Sequence, residues 1–536
     1  MRQLLLCVVL ACCSPWAWGQ AQGLGLVPAA TAAATNATSA ASAASSASLS
    51  AAQPLPAPEA LGVTPPAAPA ASPATSMAGS SLATPSAIPV LLPALAPITQ
   101  LPPAIAQALQ AAGLPPSSMS AWVQPLPDLR WPAGQPAPQS LVKPGRSTGS
   151  AAAKNTMRDA SARPAALLSV QADKPMNPAS VMKLVTTAVA MQSLGSDFQW
   201  HTSVWVDGAV RDGVLYGNLI VQGGGDPYLP TPRVQELIAR IRAKGIRSIQ
   251  GDLLVNQSRW QLPHFDPAAF DGKPARPYNA APQALMINMQ AVELHLQPQG
   301  KDAVLLADPP LLGVSMPAVA MSAAPCIQPE LALALDVSQP DLIQARGSWP
   351  RSCGARSVFA WPYALADEFA ARALAGVWLG SGGQLSGRAG VEARGRSAAR
   401  FFLRFDSAPL QEVVAVTNTY SNNPMAKQIF LSLPVWGKLH GQLRRPVASW
   451  SASQRWMAAW WHQYLPGAAA PVLENGSGLS RRERITAASL GALLAQTAAS
   501  PVAADFAATL PLAGREGTVA SLAQRSSKNR ALGQAR

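Results

Sequence analysis

"NPASVMKLVTT", residues 177–187, decides how this chain is read. Ser180 stands three residues ahead of Lys183, and an apolar run follows. Asn177 suits a helix cap, Pro178 the first helical position and Gly195 the end, so the spacing predicts a helix with Ser180 as its third residue. Lys183 then lies one turn on, on the same face. A helix amino end favours negative charge. A lysine amine kept neutral by burial takes a hydroxyl proton, so the pair has the makings of a nucleophile and its base, suited to acyl transfer. The plain alternative is a helix-start serine beside a solvated lysine. Spacing alone does not choose, because "SLVK" (Ser140 to Lys143) has the same pattern in a Pro-rich stretch.

The flanks carry more. The start, "MRQLLLCVVLACCSPWAWGQ", joins one basic residue to a short apolar run and "AWG", as in a secretory signal peptide covering residues 1–19. Residues 20–100 are Ala, Pro, Ser and Thr with almost no charge, a composition expected to form a disordered tether. No later stretch is apolar for long enough to form a transmembrane helix. The expected location is therefore exported, in the periplasm. The net charge of +14 is spread thinly, with no Lys/Arg run, which argues against nucleic-acid binding. His201, His264, His295, His440 and His462 are scattered, so no metal or other cofactor is expected. Cys326 and Cys353 follow the leader as an even pair, suited to one disulfide or to two reduced thiols.

Past the tether, "LPPAIAQALQAAGLPP" predicts a short helix, and "SAWVQPL" and "AALLSVQAD" predict strands. After the Ser180 helix come strand-like runs ("HTSVWVDG", "GVLYGNLIVQGGGDPYL", "SIQGDLLVN") interrupted by the helix "TPRVQELIARIRAKG". Helical periodicity returns from "DEFAARALAGVWLGSGG" onward. The order is helical, β-rich insert, helical. A second pair lies in "VTNTYSNNPMAKQIF", where Ser421 and Asn423 form Ser-x-Asn on a loop entering a helix. A hydroxyl there relays a proton to a leaving amine and an amide holds a carbonyl, unless the cluster is only an Asn-rich cap. "RWMAAWWHQYL" reads as a packed helix face, and "GGGDP" as a tight turn.

Taken in order, "MNPASVMKLVTT", "GNLIVQGGGDPYL", "IQGDLLVN", "YNAAPQALMINMQAV", "NTYSNNPMAKQI", "ENGSGLSRRERIT" and "LPLAGREGT" resemble the low-molecular-mass class C penicillin-binding proteins, D-alanyl-D-alanine carboxypeptidase/endopeptidases. The resemblance implies an α/β, multidomain protein with a β-lactamase-like transpeptidase fold. It places the catalytic domain at 101–203 and 385–536, and β-rich inserted domains at 204–384. It implies Ser180 as acylated nucleophile, Lys183 as base, and Ser421 with Asn423 lining the cleft. Peptidoglycan stem peptides and cross-links are the implied substrates and β-lactams the inhibitors. Two departures stand out. Lys427 replaces the usual Glu. No Lys-[Ser/Thr]-Gly occurs in the 536 residues, where the family's third motif supplies a cation and an oxyanion donor. Losing one such donor costs about 100- to 1000-fold in rate. The expectation is a serine DD-peptidase truncated before that motif, with a non-catalytic envelope-binding homologue as the alternative.

Overall fold

The computed structural model describes residues 5–11, 96–126, 166–363, 365–392, 399–441 and 444–521. Most of the expected tether and the decoy Ser140 lie outside them. A three-stranded antiparallel sheet runs in the order β1 (Leu5–Ala11), β2 (Met119–Pro125), β3 (Leu168–Val170). Part of the expected leader is thus the edge strand beside β2. The helix α1 (Pro103–Ala111) follows Pro102, as the prolines predict.

Helix α2 (Met182–Leu194) is the centre of the helical part. Ten of its thirteen residues are buried, including Lys183. A helix apolar on every side belongs inside a core and not on a surface. Gly195, at φ 94°, ends it, and its N–H closes on the Met191 carbonyl at 2.9 Å.

A β-rich part follows α2. His201–Val206, Leu219–Gln222, Leu253–Asn256, Ala389–Val391 and Arg400–Asp406 form one five-stranded sheet. Helices α3 (Thr231–Ala243) and α5 (Ala366–Gly380) share its core, with Val204, Val221, Leu237, Ile241, Leu374 and Trp378 buried together. Because Arg400–Asp406 pairs with His201–Val206, this sheet continues past the boundary expected at residue 385. Alternation explains the pairing: "RFFLRFD" presents Leu403 and Phe405 to the core and its arginines outward. A second sheet, of Ala291–Gln299, Asp302–Asp308, Ala318–Ser322, Trp349–Pro350 and Arg356–Pro362, completes the insert beside the short helix α4 (Pro329–Ala332). Cys326 and Cys353 are joined there as a disulfide.

The chain then returns to the helical part with α6 (Leu410–Thr419), α7 (Asn423–Trp436), α8 (Trp450–Tyr464) and α9 (Ala487–Ala498). Asn422 caps α7, its side-chain oxygen accepting the Met425 N–H at 3.0 Å. Met182, Val185 and Val189 of α2 pack with Met425, Ile429 and Phe430 of α7 and Leu490 of α9. Trp456, Trp460 and Trp461 are buried in the same core, the packed face read from "RWMAAWWHQYL". In "GGGDP", expected to be a tight turn, the Gly223 and Gly225 N–H groups instead bond the distant Asn256 and Ala284 carbonyls at 3.1 and 2.8 Å, and Gly225 has φ 91°. No described helix is long and apolar enough to cross a membrane.

Candidate active site

Ser180 precedes α2 and does not lie within it. Residues Ala179–Val181 form a 3-10 turn, and the α-helix begins at Met182. The predicted α-helical frame fails at Ala179, whose φ of 45° is left-handed. Such a conformation in a non-glycine residue costs about 1–3 kcal/mol and persists where the surroundings impose it. Two contacts impose it here. Asn177 Oδ1 accepts the Ala179 N–H at 2.9 Å, and Asn177 Nδ2 donates to the Ser480 carbonyl at 2.9 Å. The carbonyl of Ala179 also faces Gly478 so closely that a Cβ there would lie 1.8 Å from it. Gly478 itself has φ 81°. A Gly478→Ala variant is therefore expected to displace the Ser180 turn, lowering both the melting temperature and any acylation of Ser180. Thermal melting and β-lactam labelling check this together.

Lys183 reaches back to that turn. Its Nζ lies 3.1 Å from Ser180 Oγ, 2.5 Å from Asn423 Oδ1 and 2.7 Å from the Ser477 carbonyl. An ammonium would donate to all three. In a neutral amine, two N–H groups serve the two carbonyl acceptors, which leaves the lone pair facing the Ser180 hydroxyl. Burial pulls the Lys183 amine down from 10.5 to about 7. Glu483 opposes the shift and Lys427 adds to it.

Asn423, at the first turn of α7, ties three parts together. Its Oδ1 holds Lys183, while its Nδ2 donates to the Tyr278 carbonyl of the insert at 3.3 Å. Ser421 lies two residues earlier with φ 53°, and among the described residues no hydrogen bond ties its hydroxyl to Ser180 or Lys183. The structure therefore assembles Ser180, Lys183 and Asn423 directly and leaves Ser421 at the approach to α7.

Three further contributors to the site carry little catalytic signal in the sequence. Ser477 supplies a backbone carbonyl, which no residue type announces. Glu483 is fully buried and gathers its own loop. Its Oε1 accepts the N–H groups of Glu474, Asn475 and Gly476 at 3.0, 2.9 and 2.9 Å, and its Oε2 accepts that of Gly478 at 2.9 Å. Burial still pushes its pKa up, with these bonds pulling the other way. Lys427, one turn beyond Asn423, is also buried, and burial pulls its amine down to about 7. The two glycines between the acids Glu474 and Glu483 in "ENGSGLSRRE" were the available signal. Among the described residues no group of three or more His, Cys, Asp or Glu side chains is placed to hold a metal.

The sequence matches the D-Ala-D-Ala carboxypeptidase 3 (S13) family over residues 149–534. It is 27% identical over 353 residues to the D-alanyl-D-alanine carboxypeptidase of Actinomadura sp. (strain R39), covering 63% of each chain. It is also 37% identical over 83 residues to the D-alanyl-D-alanine carboxypeptidase DacB of Haemophilus influenzae, 16% of this chain and 17% of that one. The match thus spans less than two thirds of either relative. Its fold is similar to the crystal structure of penicillin binding protein 4 (dacB) from Haemophilus influenzae, with TM-score 0.51 and 23% identity, over 66% of this chain and 77% of that one.

Proposed function

Since the chain belongs to the D-Ala-D-Ala carboxypeptidase 3 (S13) family, we propose that it is a serine-type D-Ala-D-Ala carboxypeptidase/endopeptidase of peptidoglycan, and a penicillin-binding protein. The observation that carries the reading is the Lys183 amine, buried, at about 7, with its third contact on Ser180 Oγ.

Lys183 takes the hydroxyl proton as Ser180 Oγ attacks the carbonyl of the penultimate D-alanine. The positive end of α2 stabilises negative charge at this end of the helix. Collapse of the tetrahedral species breaks the C–N bond, and the departing amine takes a proton from Lys183, with Ser421 as the hydroxyl relay. Asn423 holds Lys183 in line throughout. Water then cleaves the ester, regenerating Ser180 and completing the turnover. A β-lactam enters the same path, but its opened ring stays attached as the acyl group. The leader-like residues 1–19 support export, and a peptidoglycan substrate supports the periplasm.

A second reading is a homologue that binds peptidoglycan without cleaving it, in keeping with a Ser421 hydroxyl that, among the described residues, no hydrogen bond ties to Ser180 or Lys183. Release of free D-alanine from a D-Ala-D-Ala pentapeptide separates the two. The enzyme reading expects release by the wild type and none by Ser180→Ala. Peptide binding without release by either protein supports the second reading.

A further inference from the structure

We propose that Lys427 is a positioning residue for the Ser180–Lys183 pair, holding the insert against α7 and governing the proton occupancy of Lys183. The inference rests on the acyl-transfer reading of that pair.

Its geometry is the starting point. Asn423 and Lys427 are one helical turn apart on α7 and donate to two carbonyls of the same insert segment. Asn423 Nδ2 meets that of Tyr278, and Lys427 Nζ meets that of Ala280 at 3.3 Å. Gln428 extends the row, with Nε2 on the Gln283 carbonyl at 2.6 Å and Oε1 accepting from Trp260 Nε1 at 2.7 Å. The ammonium also sits 4.6 Å from the centre of the Phe265 ring. The insert is thus fastened to the helix that holds Lys183, with Lys427 between the two fastenings that flank it.

The charges give the second half. Two amines, Lys183 and Lys427, and one carboxylate, Glu483, are buried in one cluster. One acid cannot neutralise two ammonium groups, so each amine disfavours protonation of the other. Groups on the surrounding elements do not change that balance. Helix α2 carries Lys183 alone. Glu412 of α6 and Arg455 and His462 of α8 are exposed. On the insert, Asp271 is occupied by the Tyr278 hydroxyl and the Asn279 amide, Arg276 is half-buried, and Asp266 and Lys273 are exposed. On the loop carrying Glu483, Arg481 stacks on Phe270 and Arg482 pairs with Glu474.

The test is the pH dependence of β-lactam acylation in the full chain, for the wild type, Lys427→Met and Lys427→Arg. Removing the second amine raises the affinity of Lys183 for its proton. The acid limb of Lys427→Met is therefore expected at higher pH, with roughly a three- to tenfold loss of rate at pH 6. At pH 9 the rate is largely kept, and Lys427→Arg restores the wild-type limb. A uniform loss at every pH would overturn the proposal, because a purely structural lysine predicts that.

A titration of lysine 13Cε resonances needs no turnover and no folded variant. Two lysines of the wild type changing protonation near neutral pH are expected. All lysines remaining charged up to pH 9 would contradict the proposal. Wild-type protein that shows those titrations but never acylates would sink the functional reading and leave the coupling intact.

Discussion

Lys183→Met is expected to slow acylation of Ser180 by about 100- to 10,000-fold, the range for removing a positioned general base. Methionine keeps the length and fills the buried site without a charge. It also removes the amine that contacts Ser180 Oγ, Asn423 Oδ1 and the Ser477 carbonyl together. Two carbonyl-type acceptors lose their donor, so some stability goes as well, about 1–3 kcal/mol for each buried group left unpaired. The measurement is the rate constant for β-lactam acylation, taken beside a melting curve. In the wild type that rate is expected to rise with pH through about 7, as Lys183 gives up its proton. In Lys183→Met the rise disappears. A variant that folds and keeps the wild-type rate and pH dependence would remove Lys183 from the chemistry.

The second large effect is expected at Glu483. Its carboxylate accepts four backbone N–H groups at a site closed to solvent. Truncation to alanine leaves them without an acceptor and opens a cavity, a combined cost on the order of 4 kcal/mol or more. That is a large share of the stability of an ordinary domain. Loss of the loop also removes the Ser477 carbonyl from Lys183 and the close wall behind Ala179. Glu483→Gln keeps the volume and is the milder probe. Its amide nitrogen opposes an N–H donor, so the loop loosens. Its lost charge acts on Lys183 in the other direction, because Glu483 holds that amine's pKa up. The acid limb of acylation in Glu483→Gln is expected at lower pH, opposite in sign to Lys427→Met. Chemical denaturation gives the stability loss and the pH profile gives the sign.

Periodicity and end signals carried most of the helices and strands. The prolines bounding α1, the asparagine-rich entry to α7 and the three-tryptophan face of α8 are local features whose physics is written in a few neighbouring residues. The strand Arg400–Asp406 pairs with His201–Val206, two hundred residues away. Pairing at that distance leaves no local trace. The turn at Ser180 escaped for a similar reason: the φ of Ala179 is imposed by Gly478 and Asn177, and only the second is nearby in sequence.

The site divides in the same way. Ser180, Lys183 and Asn423, which the structure brings together, stand out because hydroxyl, amine and amide at short spacing announce chemistry, and Ser421 announces it equally without a described hydrogen bond to them. Glu483 and the Ser477 carbonyl do not, since a buried carboxylate serving backbone N–H groups looks in sequence like any acid on a loop. Lys427 stood out only as a departure from a resemblance. Its burial and its bond to Ala280 are tertiary facts.

The most direct test of the whole account is to treat the full chain and its Ser180→Ala variant with a fluorescent penicillin, then locate the adduct by peptide mass spectrometry. A stable acyl adduct on the peptide carrying Ser180, absent from the variant, is the predicted result. A folded wild-type protein that takes up no label, or carries it at another residue, would contradict it.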